Sequence, residues 1–96
     1  MARVKEEESV GYTSVVELTN STTTDISFQV IQGEVEIIVV LDGVSVTSAM
    51  KGWRYSAPFG ETNKPLVDLD NTISTVGRVY ARGVEAGGSV VRVDHA

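Results

Sequence analysis

Seventeen valines, five isoleucines and nine threonines make 31 of the 96 residues β-branched, against only four leucines. Two heavy atoms on Cβ make such side chains stiff at χ1 and costly in a helix, whereas on a pleated surface they pack well. The chain is therefore expected to be all-β. Nine glycines and clusters of Ser, Thr, Asn and Asp supply the turns between short strands.

A length of 96 residues accommodates one domain. A fold this small buries a modest share of its surface, and the absence of cysteine removes disulfides and thiolate zinc sites as supports. Association with further subunits is the remaining source of stability.

Along the chain, residues 1–9 are polar and charged and read as an N-terminal arm held by a neighbouring subunit, leaving 10–96 as a single domain. A first strand is expected within 10–18, before the polar run 19–25. Ile26, Phe28 and Val30 alternate with Ser27 and Gln29 on one face of a second strand, which Gly33 ends. In residues 34–41, Val35, Ile37, Val39 and Leu41 share one face and Glu36, Ile38 and Val40 the other. A strand apolar on both faces belongs in the middle of a sheet, or under another subunit.

Asp42-Gly43 before Val44-Ser45-Val46-Thr47 fits a two-residue hairpin turn. Residues 48–65 carry no usable period and hold three of the six aromatics, so a long loop anchored by its rings is expected there. Residues 66–69 and 73–76 read as short strands around an Asp70-Asn71 turn. Residues 79–84 and 89–93 read as a closing hairpin around Glu85-Ala86-Gly87-Gly88. The sum is an antiparallel β-sandwich, or a small barrel, of seven or eight short strands.

Charge and motif content narrow the function. A net charge of −5 offers no basic stripe for phosphates, which argues against nucleic acid as a partner. Residues 1–8 lack the apolar core of a secretory signal, and the apolar run 37–41 is far shorter than a membrane span. The expectation is a protein made and used in soluble form, without membrane association.

His95, beside the C-terminus, is the one histidine and reads as a tail residue, not a catalytic base. Asp68-Leu69-Asp70-Asn71 has the opening of a calcium loop, but Ile73 stands where the sharp-turn glycine belongs; an Asp/Asn-rich turn accounts for it. Glu34 and Glu36 read as a solvated strand face and not as a glycosidase pair. Gly87-Gly88-Ser89 lacks the lysine of a phosphate loop, and the sequon Asn20-Ser21-Thr22 has meaning only in a secreted chain. No catalytic group, metal or cofactor is expected.

Trp53, Arg54, Tyr55 and Phe59 form the one cluster with two readings. Their rings pin the loop to its own core, or they meet a partner, since aromatics and arginine concentrate at interfaces. Arg3 and Lys5 of the arm join them as candidate contact residues.

The run Gln29-Val30-Ile31-Gln32-Gly33, the Gly/Pro-rich loop, Arg78-Val79-Tyr80-Ala81-Arg82-Gly83 and the glycine turn into Ser89-Val90-Val91-Arg92-Val93 together resemble small β-sandwich virion proteins of tailed bacteriophages, over about residues 26–93. The resemblance implies a non-enzymatic capsid decoration or cement protein, or a head–tail accessory subunit. It would be a homo-oligomer bound to major capsid or other virion proteins, made in the host cytoplasm and resident in the virion. The alternative is a receptor- or carbohydrate-binding module, a tail-fibre tip or adhesin, using the Trp53–Phe59 loop.

Overall fold

The structure, a computed structural model, describes residues 4–19, 21–70 and 76–95, with side chains described from Glu7 to Asp94 within those spans. Among them the alternating segments become strands: β1 (Val4–Val10), β2 (Val15–Glu17), β3 (Asp25–Gln32), β4 (Glu34–Val40), β5 (Trp53–Ser56), β6 (Gly60–Pro65), β7 (Arg78–Gly83) and β8 (Ser89–His95). One four-residue helix, α1 (Leu66–Leu69), follows β6.

Two four-stranded antiparallel sheets form, in the orders β1-β8-β3-β6 and β2-β7-β4-β5. The antiparallel pairs nest: β1 with β8, β2 with β7, β3 with β6 and β4 with β5. The chain thus behaves as one long hairpin with its tip between β4 and β5, rolled until β8 meets β3 and β7 meets β4. Eight strands so ordered define a jelly roll, and the expectation of an antiparallel β-sandwich holds.

The β-branched residues fill the space between the sheets. Ile26, Phe28 and Val30 of β3 face Val35, Ile37 and Val39 of β4, with Val79, Ala81, Val91, Val93, Val10 and Leu18 around them. Each Val, Leu, Ile or Phe side chain so taken from water contributes about 1.5–3 kcal/mol. β4 is interior to its sheet, and its outer face is buried too: Glu36, Ile38 and Val40 lie under this chain's own loop between β4 and β5, where Val44 and Met50 share a hollow with Ile38 and Val40.

Several local expectations change. From Val4 the N-terminal segment is not an arm but the edge strand β1, laddered to β8 of the same chain from Val4↔His95 to Val10↔Ser89. One side of its backbone is paired within the fold, and the domain begins before residue 10. The Asp42-Gly43 turn exists, with Gly43 at φ +85° and Val44 N–H donating to the Leu41 carbonyl at 3.1 Å, but no strand follows. Both sides of β4 are already taken, by β5 and β7, so residues 44–50 pass over its outer face instead. The predicted loop 48–65 contains the edge strands β5 and β6; an edge strand needs only one partner and little apolar content of its own.

Residues 66–69 turn helical because Leu66 and Leu69, three apart, are both buried while Val67 and Asp68 are exposed. The predicted strand 73–76 falls mostly outside the described residues; Val76, which is described, is not in a strand. The closing hairpin does not form either, since β7 and β8 belong to opposite sheets and residues 84–88 carry the chain across. An equally abrupt crossing occurs at Gly33, φ +76°, between β3 and β4. A Cβ there would stand 2.5 Å from Ser89 Oγ, which itself donates to the Glu34 carbonyl at 2.9 Å.

Candidate interaction surface at the β5–β6 corner

β5 pairs with β4 alone, from Glu34↔Ser56 to Ile37↔Trp53, and so forms an edge of its sheet. Strand alternation sends Trp53 and Tyr55 toward the side of Ile37 and Val35, and Arg54 to the other. The structure therefore splits the predicted aromatic cluster.

Tyr55 belongs to this chain's own packing. Its ring meets Phe28 edge-on at 4.9 Å, and its hydroxyl donates to Glu61 Oε2 at 2.9 Å, closing the gap between the two edge strands. Burial, and then the bond to the Glu61 carboxylate, push the phenol up to about 12. Because the folded value exceeds the ordinary 10.0, the stability this linkage contributes is fully present below pH 10 and is lost as pH rises through about 12. Phenolate absorbance should accordingly show Tyr55 ionising only in that last step, and Glu61→Gln should move the step down. Tyr55 ionising at the ordinary tyrosine value would show that the ring is neither buried against Phe28 nor bonded to Glu61.

Trp53 is 61% exposed, yet its ring is held: the indole N–H donates to the Leu69 carbonyl at 3.1 Å, tying β5 to α1. Arg54 is exposed, with its guanidinium 3.6 Å from the Glu34 carboxylate. Phe59 is 68% exposed at the turn into β6, although its backbone is fixed on both sides. Its N–H donates to the Ser56 carbonyl at 2.8 Å, and its carbonyl accepts from Val30 N–H at 2.9 Å. Gln29 Nε2 donates to the Pro58 carbonyl at 2.9 Å, which further steadies this turn. Arg3 lies outside the described residues. Lys5 sits in β1, opposite Asp94, at the sheet edge remote from β6.

A charged pair under the β4–β5 loop escapes sequence reasoning. Glu36, expected on a solvated face, is buried, and the Arg82 guanidinium reaches its Oε1 through Nη2 at 2.6 Å and Nε at 3.1 Å. Arg82 also donates to the Met50 carbonyl and, at 3.2 Å, to that of Thr47, while Glu36 Oε2 accepts from Gly52 N–H at 2.7 Å. Burial by itself would raise the Glu36 carboxyl. The Gly52 N–H, the Arg82 bond and the Arg82 and Lys51 charges outweigh it, and the group titrates below its ordinary value. The hint was present in the sequence: Ile38 and Val40, on the same strand face as Glu36, mark that face as covered.

Asp68 on α1 and Asp70 at its C-cap border a groove of about 520 Å3 with Trp53, Val67 and Lys51. Among the described residues no group of three or more His, Cys, Asp or Glu is placed to hold a metal ion, and no helix is long and apolar enough to cross a membrane. No protein-family model matches the chain, nor does any curated protein or solved structure.

Proposed function

We propose that the chain is a non-enzymatic structural protein of a tailed-bacteriophage virion, a capsid decoration or cement subunit that bridges neighbouring subunits and acts in several copies. The observation that carries this reading is the β5–β6 corner. There a rigid backbone presents the Phe59 ring to solvent beside a strand bearing exposed Arg54. A ring so exposed on a fixed turn gains apolar burial only from a partner, and aromatics and arginine are the side chains that anchor interfaces.

The sheet edges favour docking by side chains over open-ended strand addition. β2 and β5 have three and four residues, β6 carries Lys64 and Pro65, and β1 places Glu8 opposite core-facing Val91. The jelly roll is a fold shared by capsid proteins and lectins, so it accommodates this role without specifying it. The sequence resemblance to small virion proteins adds the particle as the setting.

Mass spectrometry of purified particles of the phage encoding this chain should find it at a copy number tied to the capsid lattice. Phe59→Ala with Arg54→Ala should reduce its retention on particles while leaving its melting temperature unchanged. A chain absent from particles, or retained equally by the double variant, would sink the proposal.

A further inference from the structure

We infer that the groove between β5 and α1 is a binding site for a neutral oligosaccharide, with one pyranose ring stacked on Trp53. This site goes beyond the assembly role and does not depend on it. The indole is the largest side chain in the groove and most of its surface is open, yet its single hydrogen-bond donor is already spent on the Leu69 carbonyl. What remains is a flat apolar platform, locked in orientation and asking for no polar partner. A pyranose ring matches it, because one face of the sugar carries only C–H groups while its rim carries hydroxyls.

The groove's rim suits those hydroxyls. Asp68 and Lys51 line the groove with Trp53, so an acceptor-bearing and a donor-bearing residue border an apolar surface extended by exposed Val67. Charged partners make the stronger hydrogen bonds to neutral hydroxyls. Two carboxylates against one ammonium, on a chain of net charge −5, disfavour uronates, sialic acids and sulfated sugars.

A hollow of about 520 Å3 lies in the range of small-ligand clefts, roughly 300–1,000 Å3. A second hollow of about 270 Å3 beside Leu41 and Val44 shares Lys51 and Asp70 with it, so surface for further sugars adjoins the first ring. A peptide adding as a strand fits less well, since β5 has four residues and its first side chain is tied across to α1.

Trp53 is the chain's one tryptophan, so fluorescence excited beyond the tyrosine absorption band reports on this site alone. The full-length chain, free of particles, would be titrated to millimolar levels with maltohexaose, cellohexaose, chitohexaose and mannohexaose, and in parallel with an oligogalacturonate and an extended peptide. At least one neutral hexasaccharide should shift the emission saturably, with the galacturonate weaker. By calorimetry, Asp68→Asn should weaken binding by about tenfold, the scale of a lost charge-assisted hydrogen bond. Trp53→Ala should abolish binding, whereas Trp53→Phe, which loses the same bond to Leu69 but keeps a flat ring, should retain part of it. The inference is overturned if no neutral glycan moves the emission, if the anionic sugar or the peptide binds as well or better, or if Asp68→Asn binds like the parent. Because no particle is present, these results stand apart from the test of virion attachment.

Discussion

Gly52→Ala should cost the protein about 3 kcal/mol or more, at the upper end of overpacking effects and a large part of the 5–15 kcal/mol that holds a typical domain together. A Cβ at this position would stand 1.8 Å from the Ile37 carbonyl oxygen and 2.6 Å from its carbon, both backbone atoms of β4. No rotamer relieves that contact, so the chain must move away from β4. The ladder begins one residue later, at Trp53↔Ile37, and the Gly52 N–H is the donor that holds Glu36 Oε2. One methyl group therefore loosens β5, the charged pair and the platform of Trp53 together. Chemical denaturation should show the loss, and fluorescence should show Trp53 moving toward water even where the variant stays folded. Gly43→Ala is the matching control: its Cβ meets nothing within 4 Å, so it should suffer only the strain of φ +85°.

Arg82→Ala should destabilise by about 3–5 kcal/mol, the usual result of removing one partner from a buried ion pair. The side chains of Arg82 and Glu36 are only 13% and 8% exposed, and the arginine is also what fastens the Thr47 and Met50 carbonyls over β4. The pH dependence separates this effect from simple loss of packing. In the parent, Glu36 titrates below its ordinary value near 4.5. Its contribution is thus present above that value and lost as pH falls through the lower folded one. Without Arg82, two of the influences that lower the carboxyl are gone while burial and the Gly52 N–H remain, so Glu36 should titrate higher than in the parent and the variant should lose less stability on mild acidification. Arg82→Met with Glu36→Leu, which removes both charges, should recover much of the loss. Equal pH profiles for parent and Arg82→Ala would show that the pair is not buried in solution.

Pattern along single strands was legible in the sequence and pairing between strands was not. Ile26, Phe28 and Val30 could be placed on one face, and β4 in a sheet interior, because period-2 alternation is a property of a few consecutive residues. The two hairpins read from Asp42-Gly43 and Glu85-Ala86-Gly87-Gly88 failed for one reason. Turn chemistry states that the chain can reverse; it does not state which strand already occupies the neighbouring place. In a rolled-up long hairpin, Val4 pairs with His95 and Val15 with Arg82, and no local signal reports either.

The candidate surface divides along the same line. Trp53, Arg54, Tyr55 and Phe59 stood out as residue types, but their roles depend on what lies across from them. Phe28 and Glu61 draw Tyr55 inward, Leu69 tethers Trp53 at the surface, and the turn held by Val30 and Gln29 leaves Phe59 outside. Asp68, which looked like part of an Asp/Asn-rich turn, becomes one wall of a groove because Leu66 and Leu69 wind α1 into the core.

By itself, then, the composition determined the fold class. With 31 β-branched residues, many of them in alternating runs, a pleated sheet with a buried face suits these side chains better than a helix does. The tertiary structure alone decided that the acidic N-terminal residues form an edge strand, that Glu36 is a buried anion and not a solvated one, and that the aromatic cluster divides into a seal, a platform and a knob. Each of those outcomes rests on a contact between residues far apart in the chain, and the energy of such a contact exists only once the sheets have closed.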